Sequence, residues 1–326
     1  MQPKIAVNIG KLKLKNPVTV ASGTFGYAEE FKDLLNLKEL GAIVTKTLTL
    51  NPRQGNLPPR TCETPAGMLN SIGLENPGID LFLEEKLSFL KKIGIPIIMS
   101  IASEDEPGEF TELARRLDRV DSVAALELNI SCPNIKVHSS ESMVHSQKQR
   151  TMNYEPRTKL ISQDAGATYN IVKAVRKVTR KTLITKLSPN VTDIADIALA
   201  AENAGSDAVS LINTLAGMSI DIQERKPRIA AVTGGLSGPA IRPVAVRMVW
   251  EVYRKIKVPI IGMGGIIDTS SALEFFIAGA TAISIGTANF INPKITVEII
   301  QGIKRYLQEN NLNSIHKLTG SLKCQS

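Results

Sequence analysis

Short apolar runs rich in β-branched residues recur along the chain, and most are followed by a stretch with helical periodicity. Uninterrupted apolar runs of this length are typical of strands buried on both faces of a parallel sheet. Eight strands are predicted, at Val18–Ala21, Ala42–Lys46, Pro96–Ile101, Ala124–Asn129, Leu183–Leu187, Ala208–Ile212, Pro259–Gly262 and Ala282–Ile285. Helices are predicted at about 28–40, 78–93, 107–118, 166–179, 191–204, 240–256, 270–278 and 293–308. Asp193 is expected to cap the fifth of these helices and Gly205 to end it.

Eight strand–helix units in 326 residues predict an α/β protein with a (β/α)8 TIM barrel. A doubly wound sheet is the alternative, but its usual early Gly-x-Gly-x-x-Gly turn is absent from the sequence. We expect one barrel domain over residues 1–326, because no linker or internal repeat divides the chain. Residues 47–77 are interpreted as an elaborated loop after strand 2, with room for a hairpin. Residues 136–165 form a polar insertion after strand 4, a candidate mobile lid.

The composition narrows the class of protein. A hydrophobic fraction of 43% supports a sizeable globular core, and no apolar run approaches the roughly 18–20 residues that span a membrane. The net charge of +8 comes with only 4% aromatic residues and no basic–aromatic cluster, which argues against a nucleic-acid partner. A small anionic substrate or a phosphate-bearing cofactor explains the surplus of basic residues as well as a nucleic acid would. We expect a cytoplasmic protein.

Cysteine and histidine positions exclude several kinds of site. Cys62, Cys132 and Cys324 are odd in number and far apart, so neither a zinc site nor an iron–sulfur cluster is expected on this chain, and a reducing compartment fits. The histidines lie in the polar insertion and near the carboxyl terminus, away from the predicted strand ends. We therefore expect no metal site and no Cys–His pair.

Polar residues stand where the predicted strands end, which is where barrel active sites form. They are Ser22, Lys46, Thr47, Ser100, Asn129, Cys132, Lys186, Asn213 and Thr214, followed by the glycine-rich ends Gly264-Gly265 and Gly286-Thr287. Turn chemistry alone can explain any one of them. The whole set is harder to explain that way, because two lysines that close apolar strands need partners for their charge.

Glycine turns near the last strands predict a phosphate site. Gly264-Gly265 and Gly286-Thr287 offer backbone N–H groups after strands 7 and 8, where barrels commonly bind phosphate. The turn at 233–239, which contains Gly238, could close over the same ligand. Asparagine side chains suit a heterocycle whose edge alternates donors and acceptors, and lysines suit a carboxylate, a phosphate or an electron-rich cofactor edge.

Longer motifs resemble the class 1 dihydroorotate dehydrogenases, and within them the type 1B catalytic subunits. The motifs are Ala21–Gly26, Thr45–Thr49, Gly67–Gly78, Glu127–Asn134, Lys186–Asp193, Ile212–Leu215, Gly234–Pro239, Gly262–Gly265 and Gly286–Phe290. The resemblance covers the chain apart from the insertion and the last dozen residues. It implies a barrel that binds FMN and oxidises (S)-dihydroorotate to orotate in pyrimidine biosynthesis.

The resemblance also implies roles for individual residues. Cys132 would be the base that removes the C5 proton of the substrate. The substrate would be bound by Lys46, Asn70, Ser71, Ile72, Gly73, Leu74, Asn129, Asn213 and Thr214. FMN would be held by Ser22, Lys46, Thr47, Ser100, Asn129, Lys186, Ile212, Gly238, Gly264, Gly265, Gly286 and Thr287, the last four around its phosphate. Ser100 departs from the asparagine usual in the family, and the insertion replaces a short glycine-rich lid.

Electrons must leave the reduced flavin, and the chain has no second flavin motif and no cluster ligands. The resemblance implies a partner subunit that carries FAD and a [2Fe–2S] cluster and passes electrons to NAD, in a heterotetramer built on a homodimer core. A type 1A enzyme that uses fumarate and a dihydropyrimidine dehydrogenase-like FMN subunit are the alternatives within this chemistry. A Schiff-base lyase using Lys46 or Lys186 and a non-catalytic barrel are alternatives outside it.

Overall fold

The structure is a computed structural model that describes residues 2–103, 107–131 and 161–323. Its strands are β1 Val7–Ile9, β2 Leu12–Leu14, β3 Val18–Val20, β4 Ala42–Val44, β5 Thr61–Thr64, β6 Gly67–Asn70, β7 Ile97–Ile101, β8 Val123–Asn129, β9 Thr182–Lys186, β10 Ala208–Leu211, β11 Leu215–Met218, β12 Ile220–Asp221, β13 Lys226–Pro227, β14 Thr233–Ser237, β15 Ile260–Gly262 and β16 Ala282–Ile285. Its α-helices are α1 Gly78–Leu81, α2 Leu87–Ile93, α3 Pro107–Asp118, α4 Ala165–Arg176, α5 Ile194–Asn203, α6 Arg242–Tyr253, α7 Thr269–Ala278, α8 Ala288–Ile291 and α9 Ile295–Glu309.

Parallel strands close into a barrel in the spatial order β10-β15-β16-β3-β4-β7-β8-β9. The last barrel strand of the chain, β16, pairs with the first barrel strand, β3, and Ile283 lies beside Val18. The barrel therefore has no open edge. Strands such as β7 and β9 are buried at every position, which explains why their sequences lack polar alternation. The predicted (β/α)8 barrel is confirmed, all eight predicted strands lie within two residues of their observed bounds, and the doubly wound alternative is wrong.

The helix predicted at 28–40 is wrong. Two short 3₁₀ turns, Glu29–Phe31 and Leu37–Glu39, occupy this segment. Asn36 is extended, and its side chain accepts a hydrogen bond from the Lys38 N–H, which starts the second turn and interrupts helical geometry. Buried apolar side chains from both turns still pack on the core. The spacing of apolar residues that suggested a helix is therefore explained by these turns.

The other predicted helices are present. Residues 78–93 form one continuous helical segment in which a π turn, Phe82–Lys86, separates α1 from α2. At the start of α5, the Asp193 carboxylate accepts from the N–H groups of Ala195 and Asp196, as predicted for a capping residue. Gly205 follows this helix with φ +102°, also as predicted.

Additional β structure covers both ends of the barrel. The antiparallel pair β1–β2 lies at the amino-terminal end, where its Gly10 turn approaches Thr182 at the start of β9 and Asp207 just before β10. At the opposite end, an antiparallel sheet has the order β11-β14-β6-β5. Its β5–β6 pair is the hairpin expected in residues 47–77. This sheet, called the upper sheet below, contributes loops to the strand ends.

Several sequence predictions fall outside the described residues. These include Cys132, Cys324, the histidines at 138 and 145, and all of the polar insertion before residue 161. In the described ranges, no helix is long and apolar enough to cross a membrane. The same ranges contain no group of three histidine, cysteine or acidic side chains arranged to hold a metal ion.

Candidate active site

A chain of hydroxyl groups joins the ends of three neighbouring strands. Thr47 Oγ1 lies 2.8 Å from Ser22 Oγ and 2.9 Å from Ser100 Oγ. The Asn129 side-chain amide donates to the same Thr47 oxygen over 3.3 Å, which extends the network to β8. Thr47, Ser100 and Asn129 are buried, whereas Ser22 is partly exposed. These four residues were predicted at strand ends from the sequence, and the structure connects them directly.

Asparagine side chains continue this network around the barrel. Ser131 Oγ donates to Asn129 Oδ1 over 2.8 Å, and the Asn213 amide donates to the same Ser131 hydroxyl. Thr214 follows Asn213, and its N–H donates to Asn213 Oδ1 over 2.9 Å. The Thr214 carbonyl accepts from the Asn190 amide over 3.0 Å. The network therefore holds several amide groups in fixed orientations at one end of the barrel.

The predicted substrate loop, residues 70–74, is tied to both the upper sheet and the barrel. The Asn70 amide donates to the Gly235 carbonyl of β14 over 3.2 Å. The amide of Asn56 donates to the Ser71 carbonyl over 3.0 Å, and the Asn56 N–H donates to the Ile72 carbonyl. Ser71 and Ile72 are thus held by other residues of the 47–77 segment.

Positive φ angles at Gly73 and Leu74 bend the end of this loop. Asn76 fixes it to the barrel, because its side-chain amide donates to the Leu74 carbonyl and to Thr49 Oγ1. Thr49 lies two residues after Thr47, so the loop is attached to the same segment of the chain that carries the hydroxyl group of Thr47. Asn76 was not singled out from the sequence; its position before Pro77 in a long motif was the available signal.

Lys46 brings a cation to this region. Within the described part of the chain, no hydrogen bond or ion pair is found for its ammonium group. Burial lowers the pKa of Lys46 from its ordinary value; Glu75 opposes this by raising the pKa, and Arg60 lowers it further. A largely buried amine without a close counter-charge is costly by itself. Such a group suits an anionic or electron-rich ligand.

Lys186 is the second buried lysine, and its charge has a partner. Its ammonium nitrogen lies 3.9 Å from Glu127 Oε1, and both side chains are almost fully buried. Lys186 and Asn129 are register neighbours at the ends of β9 and β8. The sequence predicted that this lysine would need compensation but did not identify Glu127, which stands in an apolar strand where a carboxylate is rare.

The predicted phosphate-binding glycines approach one another at close range. A Cβ atom on Gly265 would lie 2.8 Å from the Gly238 carbonyl, and Gly265 has φ +73°. Gly264, with φ +126°, lies against Ile212, the residue that follows β10. Only glycine satisfies both the backbone angle and the available space at these two positions. The turns before α6 and after β15, which contain Gly238, Gly264 and Gly265, therefore form one surface, called the glycine surface below.

The end of β16 joins the same surface. Thr287 Oγ1 donates to Ser237 Oγ over 2.7 Å, which links it to the residue before Gly238. Gly286 lies beside Ala21, with 3.7 Å between an added Cβ atom and the alanine Cβ. Ser237 was not selected from the sequence, although it lies inside the glycine turn that was. Together these contacts place Gly286 between the glycine surface and the start of the hydroxyl chain.

Comparison with known proteins gives a consistent result. Residues 4–307 match the family described as dihydroorotate dehydrogenase. The chain is 51% identical to the dihydroorotate dehydrogenase B (NAD(+)) catalytic subunit of Trichlorobacter lovleyi, over 99% of this chain and 100% of that protein. It is 50% identical to the subunit of the same name from Thermoanaerobacter pseudethanolicus, over 98% and 99% of the two chains. The Geobacter sulfurreducens subunit is 48% identical over 99% of both chains. The chain therefore belongs to the dihydroorotate dehydrogenase family.

Proposed function

We propose that this protein is the catalytic subunit of an NAD-linked dihydroorotate dehydrogenase and oxidises (S)-dihydroorotate to orotate for pyrimidine biosynthesis. The observation that carries the proposal is the continuous polar network from Ser22 to Thr214 at the carboxyl ends of the barrel strands. It lies in a chain that matches relatives of this name over nearly its full length. The proposed reaction takes place in the cytoplasm.

The residues present fit FMN as the flavin. Gly264 and Gly265 have positive φ angles and lie in the turn after β15, where barrels commonly bind a phosphate through backbone N–H groups. Lys46 and Lys186 provide cations for the electron-rich edge of an isoalloxazine ring. When bound, FMN supplies a hydride acceptor. Phosphate would be held by Gly264, Gly265, Gly286 and Thr287, and the remainder of the cofactor by Ser22, Lys46, Thr47, Ser100, Asn129, Lys186, Ile212 and Gly238.

Substrate recognition follows from the amide groups. Dihydroorotate has ring N–H and C=O groups that alternate, so side chains that both donate and accept can bind its edge. Asn70, Asn129, Asn213 and Thr214 provide such groups, and their hydrogen bonds within the protein fix their orientation before the ligand arrives. Lys46 and backbone groups of Ser71, Ile72, Gly73 and Leu74 would bind the substrate carboxylate and ring.

Cys132 is proposed as the base that removes the C5 proton. A free thiol has a pKa of about 8.5, so the site must favour the thiolate or remove the thiol proton during the reaction. Cys132 directly follows Ser131, which is fixed to both Asn129 and Asn213. Support for this role comes from the sequence motif and from the rigid network that leads to it.

A partner subunit completes the proposal. The relatives are named catalytic subunits, and this name implies that they work with another subunit. We propose that the partner carries FAD and a [2Fe–2S] cluster, passes electrons to NAD, and assembles with a homodimer of this chain into a heterotetramer. In this arrangement the reduced flavin would pass its electrons through the partner subunit to NAD in each turnover, and fumarate would not be needed as the acceptor.

Anaerobic titration of the purified protein tests the proposal. Protein reconstituted with FMN should lose its yellow colour when (S)-dihydroorotate is added and should keep it with dihydrouracil, which lacks the carboxylate. Reduction by dihydrouracil instead would favour the dihydropyrimidine dehydrogenase alternative. FMN that binds but is reduced by neither compound would contradict the proposed activity.

A further inference from the structure

A carboxylate inside the barrel has no assigned role in the proposed reaction. Glu127 lies in the middle of β8, and its side chain is 2% exposed. Removing a carboxylate from water carries a large free-energy cost unless it is paired and hydrogen-bonded. A residue that only filled the barrel interior would have an apolar side chain. The contacts of the Glu127 carboxylate therefore indicate its role.

The two carboxylate oxygens of Glu127 have different surroundings. Oε2 accepts a hydrogen bond of 2.9 Å from Ser210 Oγ on β10. Oε1 faces the ammonium group of Lys186 on β9 at 3.9 Å, and no hydrogen-bond partner for it occurs among the described residues. Because β9 lies between β8 and β10, the Glu127 side chain reaches across the inside of the barrel beneath Lys186.

The gap between Glu127 and Lys186 is informative. A buried pair that served stability alone would close to a charge-assisted hydrogen bond of about 2.7–2.9 Å. At 3.9 Å the carboxylate balances the charge of the ammonium group without taking one of its N–H donors. In the part of the chain that the structure describes, no other acidic group lies within ion-pair distance of this amine. Its donors remain available to a ligand.

We infer that Glu127 is a positioning residue that balances the charge of Lys186 and leaves the ammonium N–H groups free for the bound flavin, with Ser210 orienting the carboxylate. This inference rests on the proposed function, because Lys186 acts here as a flavin ligand. A cation held next to a flavin stabilises the more electron-rich, reduced form. Glu127 would thereby help to set the reduction potential while making no contact with the flavin.

The Glu127→Gln variant tests this role in reconstituted holoprotein. Glutamine keeps the size and a hydrogen-bonding oxygen but removes the negative charge that holds the Lys186 ammonium group in place. We expect the midpoint potential of bound FMN to shift to a more negative value and the FMN dissociation constant to rise about tenfold. Ser210→Ala should shift both quantities in the same direction by a smaller amount.

A control variant separates this effect from general loss of buried polar contacts. Thr185→Val removes the hydroxyl group that lies 2.9 Å from Ser206 Oγ, next to Lys186 on the same strand. It should leave the flavin potential unchanged even if it lowers the melting temperature of the apoprotein. The double variant Lys186→Met/Glu127→Gln should have the same flavin midpoint potential as the single variant Lys186→Met, because the carboxylate would act only through the lysine.

The measured potentials can overturn the inference in two ways. An unchanged or more positive potential in Glu127→Gln would show that Lys186 acts on the flavin without help from the carboxylate. A shift in Thr185→Val as large as that in Ser210→Ala would show that any lost buried hydroxyl changes the potential. Wild-type protein that binds FMN but is not reduced by dihydroorotate would contradict the proposed activity and leave the comparison of potentials valid. Wild-type protein that binds no FMN would overturn both.

Discussion

The Ser131 hydroxyl donates a hydrogen bond of 2.8 Å to the side-chain carbonyl of Asn129. The same hydroxyl accepts from Asn213, which follows β10, two strands away from β8 in the barrel, so Ser131 is fixed from two sides. Asn129 is itself bonded to Thr47. Asn129 and Ser131, which precede Cys132 in the motif, are therefore part of one hydrogen-bond network. This network supports the proposal that the next residue in the chain, Cys132, acts as the base.

Replacement of Cys132 tests the proposed base. Cys132→Ala should leave FMN bound but slow flavin reduction by dihydroorotate at neutral pH by about 100-fold or more, since general bases commonly contribute 10²–10⁴ in rate. Anaerobic stopped-flow absorbance measures the rate. Cys62→Ala is the matched control, because Cys62 lies on the β5–β6 hairpin and has no assigned role. Equal rates for wild type and Cys132→Ala would remove Cys132 from the mechanism.

Thr47 is the hydroxyl that joins three strand ends, and its loss should affect both stability and cofactor binding. Thr47→Val keeps the shape but leaves Ser22, Ser100 and Asn129 without this partner. We expect a loss of about 1–3 kcal/mol in the free energy of unfolding, together with weaker FMN binding. Urea unfolding and fluorescence titration measure the two effects. Thr19→Val removes one buried hydrogen bond, to the Ile283 carbonyl, and should leave FMN affinity intact.

Lys46 should stabilise the ligand complex at a cost to the free protein. Its pKa is lowered in the folded state, chiefly by burial, so the folded protein binds fewer protons than the unfolded chain between that pKa and the ordinary value of 10.5. The free energy of unfolding therefore rises with pH in this window. Below the window, the full cost of burying the charged Lys46 ammonium group remains. Lys46→Met should raise the melting temperature of the apoprotein at pH 7. It should also reduce the increase in stability that the wild type shows as the pH is raised.

The same Lys46 variant should bind orotate about tenfold more weakly, because the cation facing the ligand is lost. Lys13→Met is the control, since Lys13 is an exposed residue of β2. Calorimetry of the apoprotein and orotate titration of the holoprotein provide the two measurements. A destabilised Lys46→Met apoprotein would show that the amine has a stabilising partner after all.

The glycine surface offers a test of close backbone approach. Gly265→Ala places a Cβ atom 2.8 Å from the Gly238 carbonyl at φ +73°, whereas Gly94→Ala has a similar φ of +75° and no atom within 4 Å. The left-handed conformation alone costs about 1–2 kcal/mol, which the Gly94 variant measures. Gly265→Ala should lose more stability than this and also weaken FMN binding. Equal losses in the two variants, with unchanged FMN affinity, would argue against a phosphate at this turn.

Asp268 caps α7 just after the glycine surface, and its contribution should depend on pH. Hydrogen bonds from Ser271, first that of its backbone N–H, lower the pKa of Asp268 below its ordinary 3.8. A lowered carboxyl pKa gives stability that is present above about 3.8 and is lost as pH falls through the folded value. Asp268→Ala should cost about 1 kcal/mol at pH 7.

Urea unfolding of this variant between pH 7 and pH 2.5 should show a smaller acid-induced loss than in the wild type. Asp33→Asn, at an exposed position, is the control and should follow the wild-type curve. If Asp268→Ala and the wild type differ by the same amount at every pH, the carboxylate charge has no part in the cap.

The barrel and its strand ends could be predicted because their signals are local. A strand buried on two faces is a continuous apolar run, and the first polar residue after it marks the end that faces the site. Ser22, Thr47, Ser100 and Asn129 could be located in this way before any contact was known. The same local logic failed at 28–40, where the hydrogen bond of Asn36 replaced a helix with two short turns.

The sequence by itself determined the order of the strands, the polar character of their ends and the family to which the motifs belong. Only the tertiary structure decided which of these residues touch. Glu127 reaches Lys186 and Ser210 because β8, β9 and β10 are neighbours in the closed barrel, and Gly265 meets Gly238 because two loops fold over the same strand ends. Such contacts join residues far apart in the chain, and their distances depend on the packing of the whole barrel, which no local pattern encodes.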